Sequence, residues 1–402
     1  MPELARAVER LVGSATEGSD DAALRKAVDD VLTSFDDADT RERKAALGVF
    51  DKALARAQGR AAQVLYLALG ALVEAGAPAE LAWPILSRGL REALETATVF
   101  AQACVKHSGD PLVADAIEAS AVAVAKKKPK EAHAWLSLPS RCLAAVACLT
   151  SSPRLRKAER ADGTLHKAAY PLEDAVDEVG FLSQILRVLD DETLVVIHPE
   201  SRRGFRVVVN DVASNLELFV LLADAIVGDA KKGLVPGKRP DARAVAALRS
   251  PASTPKKPPT AVVSFNLVAW TGLEADGTLM PADAEHPEHW VWIEGVPADI
   301  PPFGDERVVL LQEPVVARVM PVEPAFATLT PELRVTKKLT AGEVDSLLAT
   351  MGKAAAKLRE AQSKRAPAKK KSKAAKPGKK AANKAAAGRP AATPKAKAKT
   401  KK

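Results

Sequence analysis

The sequence predicts an α+β protein with an N-terminal all-α helical bundle or irregular stack, a C-terminal mixed α+β part and a disordered, basic C-terminal tail. Three observations carry this. Apolar residues recur at helical spacing through the first 150 residues, β-branched runs bounded by turn residues begin after residue 190, and residues 363–402 hold 16 Lys and Arg with no Asp or Glu. The segments implied are a helical domain (1–150), a helix, β-hairpin and helix (171–230), a Pro/Lys-rich linker or long loop (231–260), a strand-rich part ending in an amphipathic helix (261–362) and the tail (363–402). A chain of 402 residues favours two domains plus extensions over one core.

Each element has its own signal. Leu4, Val8 and Leu11 share one helical face, as do Leu24, Val28, Val31 and Phe35 after the acidic start Ser19-Asp20-Asp21. Asp39, with Glu42 three residues on, makes a capping-box-like start for a helix carrying Leu47, Phe50 and Leu54. Gly59 and Gly76-Ala77-Pro78 punctuate the next two helices, and such short connections imply antiparallel neighbours. Pro171 opens another helix, with Val176, Val179, Leu182, Ile185, Leu186 and Leu189 inward, whose pattern stops at Asp190-Asp191.

The period then changes. TLVVIH (193–198) and GFRVVV (204–209) flank a turn-rich stretch and read as a hairpin, which a helix from about Asn215 to Val227 should cover on one face. GLVPGKRPD and SPASTPKKPPT are too rich in proline to pack and read as linker. AVVSFNLVAW (261–270), HWVWI (289–293), RVVLL (307–311) and VVARVM (315–320) are strand-like, with Trp290 and Trp292 on one face of theirs. Thr340 and Glu343 form a capping-box pair that starts a helix with Val344, Leu347, Leu348, Met351 and Leu358 on one face.

Charge is divided sharply along the chain. The net charge is +9, and the 16 cations of the tail leave the preceding 362 residues at −7. A body of that sign has no global field for DNA, so attraction must come from the tail or from local basic patches. The tail cations are Lys364, Arg365, Lys369, Lys370, Lys371, Lys373, Lys376, Lys379, Lys380, Lys384, Arg389, Lys395, Lys397, Lys399, Lys401 and Lys402. No residue among them or between them is aromatic or an aliphatic larger than alanine, so the segment buries too little surface to offset its chain entropy.

This composition, with Thr393-Pro394-Lys395 in the tail and Thr254-Pro255-Lys256-Lys257 in the expected linker, resembles the Lys/Ala/Pro tails of linker histones and bacterial histone-like proteins. The resemblance covers about 40 residues and implies binding to duplex DNA by phosphate neutralisation, which reads no sequence. Gly388-Arg389-Pro390 resembles part of an AT-hook, with Ala387 where that motif has an arginine. HPESRRGFRVVV and WVWIEGVPADIP resemble segments of uncharacterised proteins of high-GC bacteria, which imply no activity and transfer no functional residue. Lys126-Lys127-Lys128-Pro129-Lys130 reads as a solvated turn between helices.

Signals for chemistry are sparse. In Glu285-His286-Pro287-Glu288-His289-Trp290 two histidines three apart could ligate a divalent metal, with His198 or Asp283 completing the set. Pro287 opposes the helix that would aim both imidazoles one way, so the expectation is a polar loop leading into a strand, with no metal and no cofactor. Cys104, Cys142 and Cys148 sit in apolar helical runs without metal or redox spacing and read as buried thiols. Gly233 to Arg239 has the composition of a phosphate loop, but Pro236 and the missing Ser/Thr oppose that reading.

No apolar run approaches the roughly 18 residues of a membrane span, and the first residues lack a secretory signal. The expectation is a cytoplasmic, non-enzymatic protein without a membrane partner, nucleoid-associated through its tail, whose body acts by contact with a protein. One alternative is a metal-dependent enzyme using residues 283–289. The other is a protein-interaction scaffold whose tail only solubilises it.

Overall fold

The computed structural model describes residues 3–109, 114–249, 257–281, 289–314 and 318–365, and the apolar stripes of the first half fold as expected. They form α1 (Glu3–Thr16), α2 (Asp21–Asp36), α3 (Thr40–Leu54), α4 (Gly59–Glu74), α5 (Ala79–Ser87), α6 (Leu90–Ser108), α7 (Ala114–Ala125) and α8 (Pro129–Ser151). Asp20 and Asp39 cap α2 and α3, each accepting a backbone N–H three residues on at 2.8 Å. Next come α9 (Pro153–Asp162), α10 (Thr164–Ala169) and α11 (Asp177–Ile185). The long helix α8 is the hub, packed against α4, α6, α11 and α5. By length and composition α8 could cross a membrane, yet half of its most apolar stretch is buried within the protein.

One expectation here needs correction. Pro171 opens a 3₁₀ turn, Tyr170–Leu172, and the helix begins only at Asp177. Ala175 and Val176 return their N–H groups to Leu172 O, closing a turn where the sequence suggested continuous helix. Val179, Leu182, Ile185 and Leu186 still face inward, while Leu189 belongs to a bridge with Val212.

The second half alternates strands and helices: β1 (Glu192–His198), β2 (Arg203–Asn210), α12 (Asn215–Ile226), β3 (Val227–Gly228), β4 (Val235–Pro236), α13 (Ala242–Arg249), β5 (Thr260–Val262), β6 (Asn266–Ala269), β7 (Trp290–Val291), β8 (Pro302–Phe303), β9 (Glu306–Gln312), β10 (Val319–Pro321), β11 (Glu332–Leu339) and α14 (Ala341–Arg365). The whole is α+β. The main sheet runs β11-β2-β1-β9-β6-β7, with β8 also on β9. The hairpin β1/β2 is antiparallel with Val195 opposite Arg206, whereas β1 and β9 are parallel with Val196 opposite Val309.

These two central strands are apolar on both sides because both faces are covered. Leu194, Val196, Val309 and Leu311 pack under α12 and α13, while Val195, Ile197, Val308 and Leu310 pack with Val344, Leu348 and Met351 of α14. Ser214 and Glu217 make a full capping box at the start of α12, and Thr340 with Glu343 does the same at the start of α14.

The expected linker is also corrected. Within 231–260, Val235 is buried in a short parallel pair with Val227, and α13 buries Ala244, Val245, Ala247 and Leu248. Alanine and leucine at helical spacing after Asp241 outweigh the prolines around them. Ser250 to Lys256 lie outside the described residues, as do Val315 to Ala317 of the expected strand VVARVM. In HWVWI only Trp290–Val291 pairs, and the rings of Trp290 and Trp292 lie 5.4 Å apart with Trp292 exposed. By contact the chain divides after Arg359, and Met1–Arg359 is one compact unit.

Candidate functional site

Of the sixteen tail cations only two lie among the described residues. Lys364 is exposed and ion-paired to Glu360 at 2.6 Å, one helical turn back, and Arg365 ends α14. The remaining fourteen, Lys369 to Lys402 with Arg389 among them, lie outside the described residues.

The body carries a positive cluster that the sequence did not reveal. Arg203 opens β2 and Lys338 lies near the end of β11, so antiparallel pairing brings them to one corner of the sheet. Arg203 donates to Ala230 O at 2.7 Å and Lys338 to Lys232 O at 3.3 Å, which pins the 3₁₀ turn Ala230–Lys232 beneath them. Both heads stand within 3.8 Å of the point a Cβ on Gly233 would occupy. With Lys231 and Lys232 this makes four cations without a carboxylate partner among the described residues. They come from three separate segments, and pairing of β11 with β2 across more than a hundred residues is what assembles them.

The histidines do not converge. His289 is buried, with Nδ1 3.2 Å from Thr271 Oγ1, just before β7. His198 ends β1, and β9 and β6 intervene, so strand spacing alone separates the two by about 14 Å. His198 therefore does not complete a set with His289. Asp283, Glu285, His286 and Glu288 lie outside the described residues, and no group of three metal-ligating side chains forms among the described ones.

His198 does meet a serine. Its Nδ1 is 2.8 Å from Ser201 Oγ in the hairpin turn, on a cleft of about 600 Å³ that Lys238 and Glu313 also line. The arrangement invites comparison with a nucleophile and its base. Against it, the same nitrogen accepts the Ser201 N–H at 3.2 Å, so its lone pair is engaged in the turn. Burial lowers the imidazole's pKa, Arg203 acts in the same sense, and Glu200 and Glu313 oppose. Burial thus favours the neutral ring, and the Ser201 N–H donated to Nδ1 puts its proton on Nε2.

Other expected features fall into place as structure. Cys104, Cys142 and Cys148 are buried free thiols, and burial pushes Cys142 and Cys148 up to about 12, far from a reactive thiolate. Gly233 to Arg239 holds β4, and Arg239 pairs with Asp224 at 2.9 Å. Lys126 to Lys128 form the turn before α8, with Lys128 paired to Glu131 at 3.0 Å. No protein-family model, curated protein or solved structure matches this chain.

Proposed function

We propose that the protein is tethered to duplex DNA by its C-terminal 40 residues, without reading sequence, while its body acts through contact with a protein partner. Charge segregation carries the reading: sixteen cations and no acid stand in the tail, against a body of net −7. Cations spaced along a chain can each neutralise a phosphate and release a counterion. Without aromatic residues the tail has no means of stacking on exposed bases, which favours duplex backbone over single strands. The cluster of Arg203, Lys231, Lys232 and Lys338 supplies a second, smaller positive surface. On this reading the protein works in the cytoplasm, on the nucleoid.

Salt dependence tests the proposal. If about 8 to 12 tail cations sit on phosphates, log affinity against log salt should fall with a slope of roughly −7 to −11, alike for unrelated duplexes. Truncation after Gln362 removes the tail, leaving at most the slope of about −4 that the four body cations could supply. A truncated protein that binds DNA as tightly as the whole chain, with the same slope, would overturn the tethering role.

A further inference from the structure

The helical half holds a cleft of about 500 Å³, far from the tail in sequence and lined by neither His198 nor His289. Its walls are the end of α3 with the start of α4, the loop into α6, and the first half of α8. Spacings of three, four and four residues put Lys130, His133, Ser137 and Arg141 on one face of α8, and all four line the cleft.

Arg141 is the informative residue. Its guanidinium carbon stands 4.7 Å from the centre of the Tyr66 ring, and its Nε is buried without a hydrogen-bond partner. Among the described residues it has no carboxylate partner. The two acids that line the cleft pair with other cations of its lining, Asp51 with Arg88 at 2.7 Å and Glu92 with Lys130 at 3.9 Å. A buried guanidinium N–H left without an acceptor is costly.

The surroundings add to that cost. Arg141 Nη1 lies 3.9 Å from where a Cβ on Gly89 would stand, and Gly89 is the N-cap of the 19-residue α6 without a side-chain cap. A cation there faces the positive end of the helix dipole and its unsatisfied N–H groups, with Glu92 the one acid in that first turn. Gln58 and Gly59, at the equally uncapped start of α4, line the same cleft. Cations and donors thus outnumber the two acids, Asp51 and Glu92, around one space.

A bound anion would reverse every one of these penalties. Donors approaching from α8 and from the start of α6 suit a tetrahedral group with three terminal oxygens better than a flat carboxylate. The cleft is far larger than phosphate alone and lies in the size range of small-molecule sites, with Leu54, Ala62 and Ile85 as an apolar wall. We propose that this cleft binds a small phosphate monoester, its phosphate held by Arg141 at the start of α6 and its organic part laid along Leu54, Ala62 and Ile85.

Calorimetric titration of the full chain with phenyl phosphate tests this, in about 0.3 M salt so that the tail cations are screened. One saturable site is expected. Arg141→Gln should weaken it at least about tenfold, the loss of a charge-assisted hydrogen bond, while Arg10→Gln, an exposed change outside the cleft, should leave it unaltered. Benzoate should bind more weakly than phenyl phosphate. Many weak sites indifferent to Arg141→Gln would overturn the proposal, as would benzoate binding as tightly as the phosphate. Should Arg141→Gln fail to fold, Ser137→Glu decides: a carboxylate one turn before Arg141 should occupy the site, raise Tm and abolish binding. A folded Ser137→Glu protein that binds phenyl phosphate like the wild type refutes the site.

Discussion

Arg156 is the largest fully buried side chain among the described residues, and all five of its N–H groups are used. Nε and Nη2 grip Asp190 at 3.0 and 2.6 Å, Nη1 reaches Leu149 O and Thr150 O at the end of α8, and Nη2 also pairs with Asp211. This guanidinium ties the helical half to the open end of the hairpin, beside the Arg160–Glu192 pair at 2.9 Å. Burial raises the pKa of Asp211 and so does Asp190, against the pull of Arg156. In the sequence none of this was legible: PRLRKAERAD has the pattern of an exposed helix, and Asp190-Asp191 reads only as the end of a helical stripe. A polar residue announces burial through its partners, and those partners are 34 and 55 positions away. Asp190→Asn leaves a charged arginine facing an amide whose NH₂ cannot accept. The expected cost is about 3–5 kcal/mol in urea unfolding, with the fold retained. A loss below about 1 kcal/mol would mean that Asp211 alone satisfies the buried charge.

At the scale of elements, what could be read was whatever is local. The helical stripes of α1 to α3, the hairpin β1/β2, and the caps of α3 and α14 depend on residues within one or two turns of each other, and they stand where the local pattern put them. Which strand lies beside which depends on distant segments; RVVLL is recognisable as a strand, but its parallel pairing with β1 is not. Gly352 shows how packing hides in a single residue. It sits inside α14, where glycine costs about 1 kcal/mol relative to alanine. The reason is contact: a Cβ there would lie 2.7 Å from Gly277 N and closer still to Glu274 O, both of them backbone. Gly277, at φ +88, approaches Leu348 of the same helix just as closely. Gly352→Ala should therefore destabilise by about 1–2 kcal/mol in spite of its better helix propensity, because overpacking outweighs it. A variant more stable than the wild type would show that the turn at Gly277 yields without cost.

For the whole molecule, the sheet decides what counts as a domain. The breaker-rich stretch near residue 255 has the composition of a boundary, yet the strands from before it lie between strands from after it in one sheet. β2 lies between β1 and β11, and β1 lies between β2 and β9, so the segment 192–210 is flanked on both sides by strands that follow the stretch. The core under α12 and α13 likewise mixes Val196 and Val207 with Val309 and Leu311. A cut in the stretch interrupts the chain without removing any of these contacts. Trypsin's specificity allows cleavage after Arg249 and Lys256, whereas Lys257 is protected by the following Pro258. After the tail is trimmed, the nicked protein should run as one species on size exclusion in native buffer and part into two fragments only in urea. The parallel β1/β9 ladder and the antiparallel β2/β11 ladder would both have to break for separation, exposing the apolar faces of Val195, Ile197, Val308 and Leu310 to water. Fragments that separate without denaturant would mean that the two halves carry independent cores, and the interleaved sheet would be refuted.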